Sequence, residues 1–245
     1  MANNLGKDIN KCELTALIPA YKESEYITAT LLGIAEEFRS AHIQFEILVI
    51  LDDVPGDQTG ARVAEAAERS KEIRVVERKG RRGVGDAVRT GIKEALGETV
   101  IIVMGDKSEE PQDIIRLAEK ARSYDIVFTN RFMRGKPKAY PYAKYLANRM
   151  CNLSAKLLFR IPYSDITNAF KAYRRNTLSD LDLTSKGFEI FLELPVKAMR
   201  RAHRTTEVEV EHVVMKNKLA KLSVARDGYK YVYLLFSLLH DFYCH

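Results

Sequence analysis

Polar side chains that can bind a nucleotide follow two apolar runs in the first part of the sequence. The first run ends at Pro19, and Tyr21 and Glu23 come directly after it. A flat ring and a carboxylate in this position are suited to a nucleobase. The second run ends in Asp52 and Asp53, whose carboxylates can accept hydrogen bonds from a base or a ribose. These residue types and their spacing predict a nucleotide site.

A glycine-punctuated loop follows the third apolar run and carries a high density of positive charge. It leads through Gly83 and Gly85 into a predicted helix. Its cationic side chains are Arg78, Lys79, Arg81 and Arg82. A glycine turn at a helix N-terminus with cations beside it is suited to a diphosphate. A P-loop ATPase is disfavoured because the Gly-x-x-x-x-Gly-Lys-Ser/Thr motif is missing, and a dinucleotide oxidoreductase because this loop does not follow the first run.

Asp106 comes just after the fourth apolar run, and Arg131 comes just after the fifth. An aspartate at the end of a buried strand is a suitable ligand for Mg²⁺ or Mn²⁺ that bridges phosphates. A guanidinium at the same edge of a sheet can pair with a phosphate. The two residues therefore predict a metal and phosphate site, with Asp106 as the metal ligand.

A parallel sheet has to position these residues, because the apolar runs alternate with amphipathic stretches of helical period. The predicted strands are 14–19, 45–51, 73–77, 99–104 and 125–129. The predicted helices are 25–40, 59–70, 85–96 and 112–122. This pattern predicts an α/β fold with a mostly parallel, Rossmann-like sheet sandwiched by helices. Ligands bind beyond the carboxyl ends of such strands, where all the polar stretches above fall.

The second half of the chain is predicted to complete the same domain. It contains a helix over 142–159, a strand near 169–173, a helix over 188–201 and a strand over 206–214. No repeat or flexible linker divides the chain, so we expect a tail over 1–12, one domain over 13–228 and an apolar helix over 229–245.

The apolar C-terminal segment is too short to cross a bilayer. Its uncharged run, 231–239, falls well below the roughly 20 residues that a spanning helix needs. Rich in Tyr, Phe and Leu, it could lie in a membrane interface or dock on a membrane-protein partner. Packing on the domain's own core is an equally strong alternative.

Composition and charge narrow the class of protein. The 245 residues are 46% apolar and 29% charged, which excludes disorder and fibrous repeats. The net charge of +6 suits an anionic ligand or an acidic membrane surface and does not argue for nucleic acid. Three distant cysteines without metal-ligand spacing, and an N-terminus without the apolar core of a secretory signal, predict a cytoplasmic protein.

In order and spacing, these stretches resemble the GT-A glycosyltransferases of family 2, and in particular the dolichol- or polyprenyl-phosphate mannose synthase group. The resemblance extends from about residue 14 to residue 222. It is carried by Ile-Pro-Ala-Tyr-Lys-Glu at 18–23, Asp52-Asp53, Gly83-x-Gly85, Asp106 with Pro111, and Asn130-Arg131. It implies that Asp106 holds metal and diphosphate. The residues it implies for the nucleoside are Pro19, Tyr21, Glu23 and Asp53; Asp52 and Gly83 complete the predicted nucleotide site.

The second half carries the same resemblance. The stretch 165–174 is similar to the family's Asp-x-Thr-x-x-Phe-Arg-x-Tyr-Arg, and 187–193 to its Gly-Phe-x-x-x-x-Glu. Lys144, Asn148 and Asn152 recur at helical spacing and share one helix face. They align with positions that face a lipid phosphate in the family, although a solvated polar face is the alternative. Lys221 fits the lysine of the family's Gly-x-Ser-Lys motif.

Two methionines depart from the family's pattern. Met104 stands where Asp-x-Asp has its first aspartate, and Met215 stands where an arginine precedes Gly-x-Ser-Lys. Glu109 or Glu110 could complete the metal coordination, and a lysine near Met215 could replace the lost guanidinium.

The resemblance implies an inverting transfer of a sugar from a GDP- or UDP-linked donor to a polyprenyl or dolichyl phosphate, with Mg²⁺ or Mn²⁺ as cofactor. Asp106, Arg131 and Lys221 would carry the catalysis, and Arg131, Lys144 and Asn148 would hold the acceptor phosphate. The acceptor oxygen is already anionic, so no base is required. A lipid acceptor predicts peripheral contact with the cytoplasmic face of a membrane.

Two other functions remain open from the sequence. A saccharide, protein or other lipid acceptor would need a carboxylate base, for which Asp165 and Glu189 are the candidates. The two methionine substitutions also allow an inactive relative that binds a nucleotide.

Overall fold

The computed structural model describes residues 12–79, 83–137, 140–211 and 224–243. Its strands are β1 (Leu14–Ala20), β2 (Phe45–Asp53), β3 (Ile73–Lys79), β4 (Thr99–Ile102), β5 (Ile126–Asn130), β6 (Lys171–Arg174) and β7 (Thr205–Glu209). Its helices are α1 (Ile27–Ser40), α2 (Thr59–Arg69), α3 (Val84–Glu94), α4 (Pro111–Ala121), α5 (Tyr142–Leu158), α6 (Arg175–Leu178), α7 (Ile190–Met199) and α8 (Val224–Tyr243).

The strands form one seven-stranded sheet in the order β3-β2-β1-β4-β6-β5-β7. The pairs β1–β2, β1–β4, β2–β3 and β5–β7 are parallel, which confirms the predicted α/β class with a mostly parallel sheet. β6 is antiparallel to both of its neighbours, β4 and β5. Because β6 runs the other way, its first residue, Lys171, pairs with Ile102 at the carboxyl end of β4. The segment before β6 is thereby brought to the same edge of the sheet as the strand-end residues.

Helices cover both faces of the sheet. Residues that alternate along β1 face opposite layers. Ile18 belongs to the apolar cluster that includes residues of α1, α2 and α4, and Leu17 to the cluster that includes residues of α3, α5, α7 and α8. Both side chains are fully buried. The near-continuous apolar runs of β1 and β2 are explained by this burial on two faces.

Several element boundaries differ from those predicted. α4 begins at Pro111, because a proline is favoured in the first helical turn, where its missing N–H has no partner to lose. β4 ends at Ile102 because its pairing with β1 ends at Leu17. β7 ends at Glu209, and α7 covers less of the chain than the predicted 188–201.

The C-terminal helix α8 begins at Val224, ahead of the predicted start at residue 229. It packs against α5 and α7, and Leu234 and Leu238 are buried in that contact. Among the described residues, no helix combines the length and the apolar content that crossing a membrane requires.

Candidate active site

The predicted nucleotide residues lie at the carboxyl edge formed by β1, β2 and β3. Pro19 is inside β1, which continues to Ala20, so the proline does not end the strand. Tyr21 and Glu23 follow in the loop, and Glu23 is buried. The Glu23 N–H donates to Thr59 Oγ1 at 2.8 Å, which attaches this loop to the start of α2. The structure therefore brings the two nucleotide stretches together.

Asp57 supports this edge structurally. Its Oδ1 accepts from Thr59 N at 3.2 Å and from Thr59 Oγ1 at 2.9 Å, and its Oδ2 accepts from Lys22 N at 3.0 Å. Lys22 adopts the left-handed backbone region at φ 53°. One carboxylate thus fixes both the loop after β1 and the first residue of α2.

Arg78 and Asp52 form a buried ion pair across the β2–β3 pairing. The register places the two residues opposite each other, and Arg78 Nη2 donates to Asp52 Oδ1. Arg78 Nη2 also lies 3.3 Å from Gly83 O. Arg78 Nε and Nη1 are buried and have no partner among the described residues. The side chain predicted to be a loop cation is therefore the buried partner of Asp52.

The glycines of the predicted diphosphate loop are in contact with the second half of the chain. A Cβ added to Gly83 would lie 2.4 Å from Lys186 O, and one added to Gly85 would lie 2.2 Å from Ser185 O. Gly85 N donates to Lys186 O at 2.9 Å. Close backbone approach explains these glycines, and a role for Gly83 in nucleotide binding stays a prediction. Residues 80–82 and the side chain of Asp53 lie outside the described part of the chain.

Asp106 occupies a turn directly after β4. Its Oδ1 accepts hydrogen bonds from Ser108 N at 3.1 Å and from Ser108 Oγ at 2.5 Å, which orient the carboxylate. Lys107 adopts the left-handed region at φ 58°, so the turn is a constrained one. The described residues contain no group of three or more His, Cys, Asp or Glu side chains that could hold a metal.

One oriented carboxylate nevertheless fits the predicted cation. Mg²⁺ is usually held by one or two carboxylates together with substrate phosphates and water. Asp106 would therefore hold Mg²⁺ or Mn²⁺ in combination with a diphosphate.

Arg131 and Asp165 form a bidentate ion pair on the other side of the site. Arg131 Nε and Nη2 each donate to the carboxylate at 2.8 Å, and Arg131 N donates to Oδ2 at 3.1 Å. Asp165 is fully buried. Burial alone would raise the pKa of Asp165, but the charge and hydrogen bonds of Arg131 outweigh it and hold the pKa below its ordinary value. Asp165 is therefore ionised at neutral pH and is a poor proton acceptor.

Lys144 lies near Arg131 at the start of α5. Burial, and secondly the charge of Arg131, lower the pKa of its ammonium group. Its Nζ lies 5.5 Å from the centre of the Tyr140 ring. A second cation is thus held in the field of Arg131, as an anion-binding site requires.

The rest of the predicted acceptor face contacts the chain itself. Asn148 Nδ2 donates to Thr167 Oγ1 at 3.0 Å, and Asn152 Nδ2 donates to Asn148 Oδ1 at 2.8 Å. Thr167 N donates to Asn152 Oδ1 at 2.9 Å. Asn152 is buried, so this is not a solvated polar face. The two amides attach α5 to the segment before β6.

Two further residues have strongly shifted pKa values: Glu109, named above as a possible metal ligand, and Lys171, which was not a predicted site residue. Burial raises the pKa of Glu109 to about 7, against the lowering effects of Ser108, the Met104 backbone and Arg131. Burial lowers the pKa of Lys171 to about 7, with Asp165 acting in the opposite direction. Lys171 stands at an arginine position of the family pattern, and that match could have indicated it as a site residue. Lys221 and Met215 lie outside the described residues.

A mixed α/β sheet that gathers aromatic, acidic and cationic side chains at one carboxyl edge is suited to a ligand that binds across the strand ends. The chain belongs to glycosyl transferase family 2, whose model matches residues 15–182. It is an α/β protein of the GT-A fold, as the resemblance of its motifs implied.

Two curated relatives cover most of the chain. The undecaprenyl-phosphate mannosyltransferase of Micrococcus luteus is 28% identical over 214 residues, which cover 84% of this chain and 86% of the relative. The polyprenol monophosphomannose synthase of Mycolicibacterium smegmatis is 26% identical over 216 residues, covering 84% and 80%. Among solved structures, the glucosyl-3-phosphoglycerate synthase of Mycobacterium tuberculosis with Mn²⁺, UDP and phosphoglyceric acid has the same fold, with a TM-score of 0.71 at 16% identity over 93% of this chain and 78% of that one.

Proposed function

We propose that the chain transfers a sugar from a nucleotide-diphosphate sugar to a polyprenyl or dolichyl phosphate, with inversion at the anomeric carbon. The observation that carries the proposal is the pair of neighbouring cations, Arg131 and Lys144, at the sheet edge that also holds Asp106. Two cations that act on each other in a partly buried site favour a bound anion between them. The names of the relatives supply the chemical class of that anion, a lipid phosphate.

The donor is assigned to the edge formed by β1, β2 and β3. Tyr21, Glu23 and Asp52 lie there beside the buried guanidinium of Arg78, and an aromatic ring with polar side chains suits the ring and polar edges of a nucleoside. Asp106 would hold Mg²⁺ or Mn²⁺, which supplies positive charge to the leaving diphosphate when it is bound. Both GDP- and UDP-linked donors are consistent with these residues.

The chain's own residues would act chiefly by alignment and charge. Arg131 and Lys144 hold the acceptor phosphate and reduce its repulsion by the donor diphosphate. A phosphate oxygen forms the new bond to the anomeric carbon, while the bond from that carbon to the diphosphate breaks on the opposite face. The electron pair leaves with the nucleoside diphosphate. The acceptor oxygen is already anionic, so no proton has to be removed.

A reaction that needs no base agrees with the ion pairing of Asp165. Its pairing with Arg131 and its lowered pKa leave it unsuited to deprotonate a hydroxyl acceptor. Glu189, the other candidate, accepts a hydrogen bond from Gly187 N at 2.9 Å. A hydroxyl acceptor is therefore the weaker alternative among the acceptor classes.

A lipid acceptor requires contact with a bilayer, and we assign that contact to the outer faces of α5 and α8. Together these form the apolar helix surface, whose exposed side chains are Tyr142, Leu146, Met150, Leu153, Leu157, Tyr229, Val232, Tyr233, Phe236 and Tyr243. Tyrosine is favoured where an apolar phase meets water, because its ring is apolar and its hydroxyl is polar. Exposed apolar surface of this kind marks a protein or membrane contact.

The apolar helix surface is continuous with the proposed acceptor site. Lys144 is on the same helix as Tyr142 and Leu146, so a phosphate held by Lys144 would lie beside the helix face that meets the bilayer. The described cysteines, Cys12 and Cys151, are free thiols, which supports the cytoplasmic face as the location.

Radiolabelled donors test the proposal. The full chain is incubated with Mn²⁺ and GDP- or UDP-linked sugars, and with either polyprenyl phosphate in vesicles or a set of saccharide acceptors. We expect label in the lipid phosphate fraction from one donor class. Transfer to a saccharide with none to the lipid would select the hydroxyl-acceptor alternative, and failure of every acceptor and of donor hydrolysis would select an inactive nucleotide-binding protein.

A further inference from the structure

The positive charge of the chain is concentrated in one stretch around α5. Between Asp125 and Asp165 the sequence contains eight Lys and Arg residues and not one Asp or Glu. The whole chain has 39 basic and 33 acidic residues, so the rest of it has slightly more acidic than basic ones. A block of like charges is typical of a segment that binds an oppositely charged partner. The net charge of +6 therefore has one location in the fold.

Most of these cations have no counter-charge within the protein. Two of them are paired with carboxylates from other segments, Arg131 with Asp165 and Arg134 with Glu209. No carboxylate whose side chain the structure describes lies within ion-pair distance of five others, which are Lys136, Lys144, Arg149, Lys156 and Arg160. Lys144 is already assigned to the acceptor phosphate, whereas the last three have no part in the proposed reaction.

These last three cations lie along the edge of the apolar helix surface, and we name them the cationic border: Arg149, Lys156 and Arg160. Arg149 and Lys156 each follow an exposed leucine of α5 by three residues, Leu146 and Leu153. Residues three apart are neighbours on the surface of a helix. Arg160 is exposed two residues beyond the end of α5. The cationic border is therefore contiguous with the apolar stripe of the same helix.

A bilayer that contains anionic lipid matches both features. The apolar stripe needs an apolar phase to cover it, and the cations beside it need anions at the boundary of that phase. In such a bilayer the headgroup phosphates lie directly above the acyl chains, within reach of long basic side chains. A nucleic acid would supply phosphates but no apolar phase. The combination of features favours a lipid surface.

We propose that the cationic border binds the phosphate groups of anionic phospholipids, so that the protein selects an anionic bilayer over a neutral one. This inference rests on the proposed function, because it takes the apolar helix surface as the membrane contact. Arg149 has a fixed direction, since its Nη1 donates to Ser164 O at 2.9 Å and its guanidinium lies 5.7 Å from the centre of the Phe132 ring. No covalent bond changes in this binding.

The test is cosedimentation of the full chain with phosphatidylcholine vesicles, prepared with and without phosphatidylglycerol. Neither kind of vesicle contains polyprenyl phosphate, so the acceptor site cannot account for the binding. We expect the wild type to bind the phosphatidylglycerol vesicles much more tightly than the neutral ones. The preference should fall as salt is added, because the screening length shortens from about 10 Å at 0.1 M to about 3 Å at 1 M.

A double variant, Arg149→Gln/Arg160→Gln, should bind the anionic vesicles roughly tenfold to thirtyfold more weakly and the neutral vesicles equally well. One cation near such a surface contributes roughly fivefold. Arg149→Lys/Arg160→Lys keeps both charges and should keep the preference. Lys93→Gln/Lys120→Gln is the matched control, with the same net charge but its changes at exposed positions of α3 and α4. Arg160→Gln alone should cost roughly fivefold, and thermal unfolding checks that each variant is folded.

Several results would overturn the inference. Equal binding of the wild type to both kinds of vesicle would do so, as would an equal loss in the glutamine variant and the matched control. A loss in the lysine variant as large as that in the glutamine variant would show that charge is not the cause. A wild type that binds no vesicles would favour an acidic membrane protein as the partner.

The proposed function can fail separately from this inference. A protein that selects anionic vesicles but transfers no sugar to polyprenyl phosphate would contradict the proposed function and leave the role of the cationic border intact. Sugar transfer to polyprenyl phosphate by a protein that binds neutral and anionic vesicles equally would do the reverse.

Discussion

The carboxylate of Asp165 holds Arg131 at two points, the backbone N–H and the guanidinium. One side chain from the segment before β6 therefore fixes both the path of the chain after β5 and the direction of its cation. The pair neutralises itself, so the net positive charge offered to an acceptor comes largely from Lys144. Arg131 would act as an oriented donor of hydrogen bonds and Lys144 as the uncompensated charge.

Asp165→Asn is expected to destabilise the protein, because it leaves the Arg131 guanidinium without its counter-charge. Removing one partner of a buried pair typically lowers the free energy of unfolding by about 3–5 kcal/mol. Urea unfolding measures this change, and Asp182→Asn, at an exposed position, is the control. An Asp165→Asn variant as stable as the control would contradict the role of the pair.

The same pair predicts an acid dependence of stability. The pKa of Asp165 in the folded protein is lower than in the unfolded chain, whose value is about 3.9. Its stabilising contribution is present above that value and is lost as the pH falls through the folded pKa. We expect the difference in unfolding free energy between wild type and Asp165→Asn to shrink over this acid range, as measured by urea unfolding at a series of pH values.

Asp106→Asn is expected to abolish sugar transfer while the fold stays intact, with a fall of about a hundredfold or more in turnover. The Ser108 N–H and hydroxyl can still bind the remaining carbonyl oxygen, so the turn should persist. Mn²⁺ binding by electron paramagnetic resonance, with and without nucleoside diphosphate, gives an independent readout. The wild type should bind Mn²⁺ tightly only with the nucleotide, and unchanged turnover in the variant would exclude the assigned role.

Lys144→Gln should raise the KM for the lipid phosphate roughly tenfold or more and leave the KM for the donor unchanged, because it removes the uncompensated cation. Lys156→Gln, on the same helix, is the matched control. Steady-state kinetics with each substrate varied in turn distinguishes the two effects. An equal rise in both KM values would place Lys144 at the donor side or in the structure of the site as a whole.

A glycine pair tests the contact between the α3 loop and the second half of the chain. Gly85→Ala puts a methyl group 2.2 Å from Ser185 O and should destabilise the protein by about 1–3 kcal/mol. Gly33→Ala, inside α1 with nothing within 4 Å of the added carbon, should be neutral or stabilise by up to about 1 kcal/mol. Thermal unfolding compares the two, and equal effects would show that the close contact is unimportant.

Phe236→Glu is expected to weaken binding to vesicles that contain anionic lipid, because it puts a charge in the middle of the apolar helix surface. Phe236 is 69% exposed, so the fold should be unaffected. Leu96→Glu is the matched control at a 60% exposed position that follows α3 and lies outside that surface. Cosedimentation without any partner protein also tests the alternative that the apolar helix surface docks on a membrane protein. A chain that binds no vesicles would favour that alternative.

The positions of the strands could be predicted from the sequence, but the direction of β6 could not. Apolar periodicity located β1, β2 and β5 because these strands are buried on both faces. Periodicity carries no information about strand direction, so the antiparallel β6 was not foreseen. The pairing of Arg78 with Asp52 was also missed, because it depends on the register between β2 and β3, which no local pattern encodes.

The candidate site, too, could be predicted only in part from the sequence. Residues at strand ends, such as Asp106 and Arg131, could be placed from the sequence because every parallel strand ends at the same edge. Glu109 and Lys171 acquire their unusual pKa values from the packing of distant segments around them. Such burial is visible only in the folded chain.

The position of β6 between β4 and β5 also constrains how the molecule can be made or divided. Until residues 171–174 join the sheet, one edge of β4 and one edge of β5 have no neighbour, and unpaired edges favour association with other chains. A fragment that stops after β5 would therefore be prone to aggregate even though it contains all three strands of the predicted nucleotide edge. During synthesis, the proposed site for the lipid phosphate can only be completed late, after the chain has turned back to close the sheet.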